Sequence, residues 1–179
     1  MTILAISGSL RRSSINSAVL RAAAAAAARD GVSIAVDESV RELPHFDPGL
    51  EAQPPEAVLR FRARWEDAAG VLLAVPEYAF GIPGAFKNAL DWTVGIGSLY
   101  PKPITVLNVA PPGRGAHVRE ALGLVMTALD ADVAYFSVPV VPGDRDANGE
   151  VSDPRIIHEL RAVVGELAQR AAQPALRSR

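Results

Sequence analysis

The run Gly70-Val71-Leu72-Leu73-Ala74-Val75, closed by Pro76, is apolar without a break. A strand with one face in water alternates between apolar and polar residues, whereas a strand covered on both faces does not. The run therefore reads as the central strand of a parallel sheet with helices above and below it. Parallel neighbours need crossover connections, so the rest of the chain must alternate strand with helix.

The flanking sequence meets that demand. Ile3 to Ile6 predicts the first strand, and a Ser/Gly/Arg loop leads into Ile15, Val19, Ala22 or Ala23 and Ala26 at helical spacing, with Gly31 placed to stop the helix. The Ala22 to Ala28 run suits a helix lying close to a sheet, because alanine has the highest helix propensity and the smallest bulk. Ser33 to Asp37 predicts the second strand. After a connection containing Pro44 and Pro48, residues 54–68 carry Val58, Phe61, Trp65 and Ala68 on one helical face. Pro83 opens a third helix running to about Thr93, and Ile104 to Val109 forms the next strand before Pro111-Pro112-Gly113. A helix over 115–129, a strand from Val133 to Val138, and a last helix capped by Asp153-Pro154 complete the series. Five strands alternating with five helices predict a three-layer α/β sandwich, one domain over residues 1–173 with a frayed tail at 174–179.

Such sheets bind ligands at the carboxyl ends of their strands. Three loops matter most: residues 8–16, 76–83 and 110–115. Composition narrows what they can do. The chain has no cysteine, which removes disulfides, Cys-ligated zinc, Fe–S clusters and thiol catalysis, so redox chemistry needs a cofactor. A net charge of −2 argues against holding nucleic acid or an anionic membrane by bulk electrostatics. The apolar N-terminal residues precede Arg11 and Arg12, the reverse of a signal peptide, and prolines interrupt later apolar stretches, so a cytoplasmic protein is expected.

The first loop, Gly8-Ser9-Leu10-Arg11-Arg12-Ser13-Ser14-Ile15-Asn16, is suited to an anion. Free N–H groups at a helix start attract phosphate, Ser9, Ser14 and Asn16 can donate to its oxygens, and Arg11 can neutralise it. The alternative is that Ser14 or Asn16 only caps the helix. The loop lacks the Lys-Ser/Thr of a Walker A motif, the three glycines of a dinucleotide fingerprint, and the flanking glycines of an esterase elbow. A mononucleotide-like phosphate remains.

Gly8-Ser9-Leu10-Arg11 with Ser14 and Asn16, then Pro76-Glu77-Tyr78, then Pro83-Gly84-Ala85-Phe86-Lys87-Asn88-Ala89-Leu90-Asp91-Trp92, resembles the NADPH-dependent FMN reductase family of flavodoxin-like proteins. The resemblance implies a five-stranded parallel sheet of order 2-1-3-4-5 and noncovalently bound FMN. It further implies NAD(P)H as electron donor and quinones, azo compounds, metal ions or free flavin as acceptors. Carried over by position, Ser9, Arg11, Ser14, Ile15 and Asn16 would hold the FMN phosphate, and Pro76, Glu77 and Tyr78 would border the isoalloxazine ring. The chain departs from the family pattern at Ala79, where Asn is usual, and at Phe80; contacts there would come from the backbone. Ala110 and Pro111 would wall the flavin, although the double proline removes two N–H donors and a plain strand-to-helix turn is an equal reading.

Lys87 and Asp91, four apart on one helical face, read as an ion pair rather than catalytic groups. His45, His117 and His158 lack ligand spacing, so no metal site is expected and each reads as a surface or capping histidine. The large aromatics Phe80, Trp92 and Tyr100 follow the flavin-loop motif and suggest a homo-oligomer, a dimer or a tetramer. The expected activity is that of an oxidoreductase in which the flavin carries the chemistry. Its rivals are a flavodoxin-like electron carrier and a phosphate-ligand binding protein without turnover.

Overall fold

The computed structural model describes residues 1–94 and 102–173. Strands β1 (Thr2–Ser7), β2 (Ser33–Asp37), β3 (Gly70–Ala74), β4 (Pro103–Asn108) and β5 (Asp132–Ser137) form one parallel sheet of order β2-β1-β3-β4-β5. This is the flavodoxin-like order. Helices α1 (Ile15–Ala28), α2 (Glu56–Asp67), α3 (Gly84–Asp91), α4 (Ala116–Ala128) and α5 (Pro154–Ala172) alternate with the strands.

Burial follows position in the sheet. Every residue of β3 is buried, as its unbroken apolar run requires, while the edge strand β2 alternates between exposed and covered residues. On one face, Ala18, Val19 and Ala23 of α1 pack with Ile156, Leu160 and Leu167 of α5. On the other, Phe61 and Trp65 of α2 pack with Phe86 and Leu90 of α3 and Leu122 of α4. Small side chains let α1 approach the sheet. The helix then ends where Gly31 turns left-handed at φ +74°.

The register places the ends of β1, β3 and β4 side by side: Ser7 lies opposite Ala74, and Ala74 opposite Leu107. The three loops leaving these strands thus share one rim. Asp153 caps α5 by accepting from the backbone N–H groups of Arg155 and Ile156 at 2.7 and 3.4 Å.

Trp92 corrects the expectation of an interface aromatic. It is fully buried within the chain, its ring meets Phe46 edge-on at 4.9 Å, and its indole N–H donates to the Pro44 carbonyl at 2.9 Å. The segment before α2 folds over α3 and supplies that cover, which local sequence did not reveal. Tyr100 and the tail 174–179 lie outside the described residues.

Candidate functional site

The first loop crosses directly over the end of β3. The Gly8 N–H donates to the Ala74 carbonyl at 2.9 Å. A Cβ on Gly8 would stand 2.9 Å from Val75 Cγ1 and 3.3 Å from Pro76 Cδ, so only glycine permits the crossing. The loop then folds on its own hydroxyls: Ser7 Oγ accepts from Ser9 N at 3.2 Å, and Ser9 Oγ accepts from Arg11 N at 3.3 Å. Ser14 is the N-cap of α1 and accepts from Asn16 N at 3.2 Å. Ser7 Oγ gives its own proton to the Ser9 carbonyl at 3.4 Å, whereas the Ser9 and Ser14 hydroxyls keep theirs to donate elsewhere. Asn16 is 3% exposed with its Oδ1 unpartnered, Ile15 is half-buried, and Arg11 is exposed. No acidic residue lies in the first turn of α1, so its positive end is uncompensated.

The second loop rises from β3 through half-buried Pro76 and Glu77 into a tight turn. Tyr78 and Gly81 exchange backbone hydrogen bonds at 3.1 and 3.0 Å, and the residues between them, Ala79 and Phe80, are both left-handed at φ +48° and +58°. Turns of this hand favour Asn-Gly, because side chains with a Cβ are strained there. The strained turn holds Tyr78 52% and Phe80 75% exposed at the mouth of the site.

The Glu77 side chain is directed to α4. Its Oε2 accepts from Val118 N at 3.1 Å, and its Oε1 lies 3.4 Å from His117 Nδ1. Helix α4 begins at Gly115, which offers no side-chain cap, so Glu77 supplies the negative group its N-terminus lacks. The His117 ring in turn rests against Phe80, with centroids 4.6 Å apart.

The third loop is braced from inside. Asn108 accepts from Ala110 N at 3.1 Å and donates to the Arg114 carbonyl at 3.0 Å, while Arg114 N donates to the Pro111 carbonyl at 3.1 Å. With two prolines and two committed N–H groups, the loop has few donors left and offers chiefly apolar wall from Ala110 and exposed Pro111. Beyond it, Tyr135 of β5 stands under the Arg119 guanidinium at 5.0 Å, its hydroxyl buried without a partner. Burial pushes its phenol up from the ordinary value, against the opposing charge of Arg119.

The structure thus brings Ser9, Arg11, Ser14, Ile15 and Asn16 to one side of the rim and Pro76 to Phe80, Ala110 and Pro111 to the other. A hollow of about 680 Å³ lined by Leu4, Val36, Asp37, Ser39 and Arg64 lies elsewhere, between β2 and α2, and holds none of these residues. Lys87 pairs with Asp91 at 2.6 Å as expected. Asn88 holds the segment before α2, accepting from Phe46 N at 2.7 Å and donating to the Pro44 carbonyl at 2.9 Å. His117 is exposed, as expected of a surface histidine, but its neighbours Glu77 and Phe80 lie on a different crossover, and no local pattern joins them.

Comparison with known proteins decides among the readings of this fold. The sequence model of the NADPH-dependent FMN reductases matches residues 1–141. The chain belongs to the NADPH-dependent FMN reductase family. A probable NADPH:quinone oxidoreductase of Oryza sativa subsp. japonica is 30% identical over 171 residues, covering 90% of this chain and 84% of the relative. An NAD(P)H-dependent FMN reductase of Pseudomonas aeruginosa is 35% identical over 146 residues, 78% of this chain and 75% of the relative. The solved structure of FerB, a flavoenzyme NAD(P)H:(acceptor) oxidoreductase from Paracoccus denitrificans, superposes with a TM-score of 0.75 at 28% identity, covering 95% of this chain and 96% of FerB.

As a member of the FMN reductase family the protein is an oxidoreductase that uses FMN and NAD(P)H. The first loop fits the phosphate end of FMN: the Ser9 and Ser14 hydroxyls have protons to give, and the helix end is bare of acids. When bound, the flavin supplies the hydride chemistry. The first loop would hold its phosphate, and the second loop presents an aromatic mouth at the same rim. Among the described residues, no helix is long and apolar enough to cross a membrane.

Proposed function

We propose that the protein passes hydride from NAD(P)H through FMN to small-molecule acceptors, quinones foremost, with azo compounds, metal ions and free flavin as further acceptors. Ser9, Arg11, Ser14, Ile15 and Asn16 hold the phosphate, while Pro76 to Phe80, Ala110 and Pro111 border the ring. Donor and acceptor occupy the same open flavin face in turn. Residues 1–173 act as one domain, and the protein works in the cytoplasm as a homo-oligomer whose contact uses exposed Phe80.

The observation that carries this reading is the strained Tyr78–Gly81 turn, which holds two aromatic side chains out toward solvent at the rim shared with the first loop. Flat aromatic contact suits planar acceptors and gives little discrimination among them, because strong selectivity needs buried polar groups that a wrong substrate leaves unpaired. The rice relative's name, NADPH:quinone oxidoreductase, supports quinones as the first acceptors to try.

The test is anaerobic mixing of the FMN-loaded protein with NADH and with NADPH, followed by addition of a benzoquinone. Bleaching of the flavin absorbance by a donor and its return with the quinone is the expected sequence. A flavin that stays oxidised would end the enzymatic reading. Sedimentation velocity at micromolar concentration tests the oligomer, and a fully active monomer would remove that part.

A further inference from the structure

Two-electron reduction of a quinone or an azo group has a requirement that hydride alone does not meet. The acceptor takes a hydride, one proton with two electrons, and the resulting anionic oxygen or nitrogen must gain a second proton. The rim holds one side chain arranged to give it. We infer that His117 is the proton donor to the reduced acceptor and that Glu77 positions it; the inference rests on the acceptor class proposed above.

Three observations converge on His117. Its Nδ1 lies 3.4 Å from the Glu77 carboxylate, which is itself fixed by the N–H of Val118, so the ring is oriented with Nδ1 inward. Its other nitrogen has no hydrogen-bond partner among the described residues, and the side chain is 56% exposed, so Nε2 is open to the mouth and to water. Its ring rests on Phe80, whose exposed aromatic face belongs to the same rim as Tyr78. A histidine set against a carboxylate at one nitrogen and free at the other is oriented so that the proton on the free nitrogen is the one that leaves.

The step balances. An O–H or N–H bond forms on the acceptor, the Nε2–H bond of the imidazolium breaks, and the neutral ring keeps its Nδ1 proton toward Glu77. Solvent then returns a proton to Nε2. Glu77 is the titratable group facing His117 from the 76–81 loop, and on its own segment Arg114 lies three residues before it and Glu120 three after.

The experiment compares two acceptors of the donor-reduced, FMN-loaded protein by stopped flow: a benzoquinone, which needs a proton, and ferricyanide, which takes single electrons and needs none. His117→Gln is expected to lower the ratio of quinone rate to ferricyanide rate roughly 100-fold, the lower end of what a positioned acid contributes. Imidazole added to His117→Ala should restore the quinone rate. FMN fluorescence titration of both variants reports whether the cofactor site is intact. Equal loss with both acceptors or absence of imidazole rescue would overturn the role of His117. A flavin that NAD(P)H never bleaches would instead overturn the function on which it rests.

Discussion

Arg62 of α2 donates through Nε to the carbonyl of Trp92 at 2.7 Å, and its guanidinium lies 5.6 Å from the centre of the same residue's indole ring. Its other end grips the Glu51 carboxylate at 2.8 and 3.0 Å. One side chain, only 7% exposed, thus ties α2, the end of α3 and the segment before α2 into one unit. Removing one member of a buried charged set leaves the others desolvated and unpaired. Arg62→Ala should cost about 3 kcal/mol, the low end for such a site because Glu51 retains contact with water. Thermal melting should show a drop of about 6–12 °C.

Arg11→Ala removes an exposed positive charge from the first loop while leaving the Ser14 cap in place. Charge-assisted contacts to phosphate are worth about 1.5–3 kcal/mol, so the FMN dissociation constant should rise roughly 10- to 150-fold. Flavin fluorescence quenching measures it, and riboflavin, which lacks the phosphate, should show no such change between variant and parent.

Ala79 sits at φ +48°, where a Cβ is strained by about 1–2 kcal/mol. Glycine relieves that strain but adds unfolded-state entropy worth about 0.5–1 kcal/mol. Ala79→Gly should therefore stabilise the fold by about 0.5 kcal/mol, read as a higher denaturant midpoint with an unchanged slope. The same change at Ala74, inside β3, should do the opposite.

Alkaline pH should expose the effect of burying Tyr135. Its phenol holds its proton to higher pH in the folded chain than in the unfolded one, because burial disfavours the phenolate. Once pH exceeds the unfolded value near 10, the unfolded chain releases a proton that the folded chain keeps, so stability is retained below that value and lost as pH rises toward the folded one. Tyr135→Phe should flatten this alkaline loss in denaturation curves taken between about pH 9 and 11. It should also raise stability at neutral pH by about 1 kcal/mol, since the hydroxyl it removes is buried without a partner.

If donor and acceptor alternate on one flavin face, initial rates with both varied should give parallel double-reciprocal lines. A set of intersecting lines would mean that both substrates sit in the site together.

Much of this architecture could be read before any coordinates, and the reasons are local. Ser33–Asp37 is the predicted second strand at both ends because Gly31 and the charged residues after it punctuate a short alternating segment. The first loop was legible because its whole logic, from Gly8 to Asn16, lies within nine consecutive residues. The position of Glu77 on the rim was legible but the direction of its side chain was not: it serves a helix start 41 residues further along the chain. Trp92 misled for the same reason, since its aromatic size signals an interface only until one knows that Phe46 and Pro44 cover it. Spacing reveals what a segment does for itself. It is silent on what one crossover does for another.

Gly115 is left-handed at φ +88°, and a Cβ there would fall 2.5, 2.7 and 2.8 Å from the three side-chain atoms Oδ1, Nδ2 and Cγ of Asn108. The amide of Asn108 already spans from Ala110 to Arg114. These two residues tie the end of β4 to the start of α4, and within the turn the Arg114 N–H to the Pro111 carbonyl adds a further brace. The loop is thereby divided into a frame and a panel. A substitution at exposed Pro112 should therefore change the surface the loop presents at the rim while the strand and helix stay where they are, at little cost to the fold.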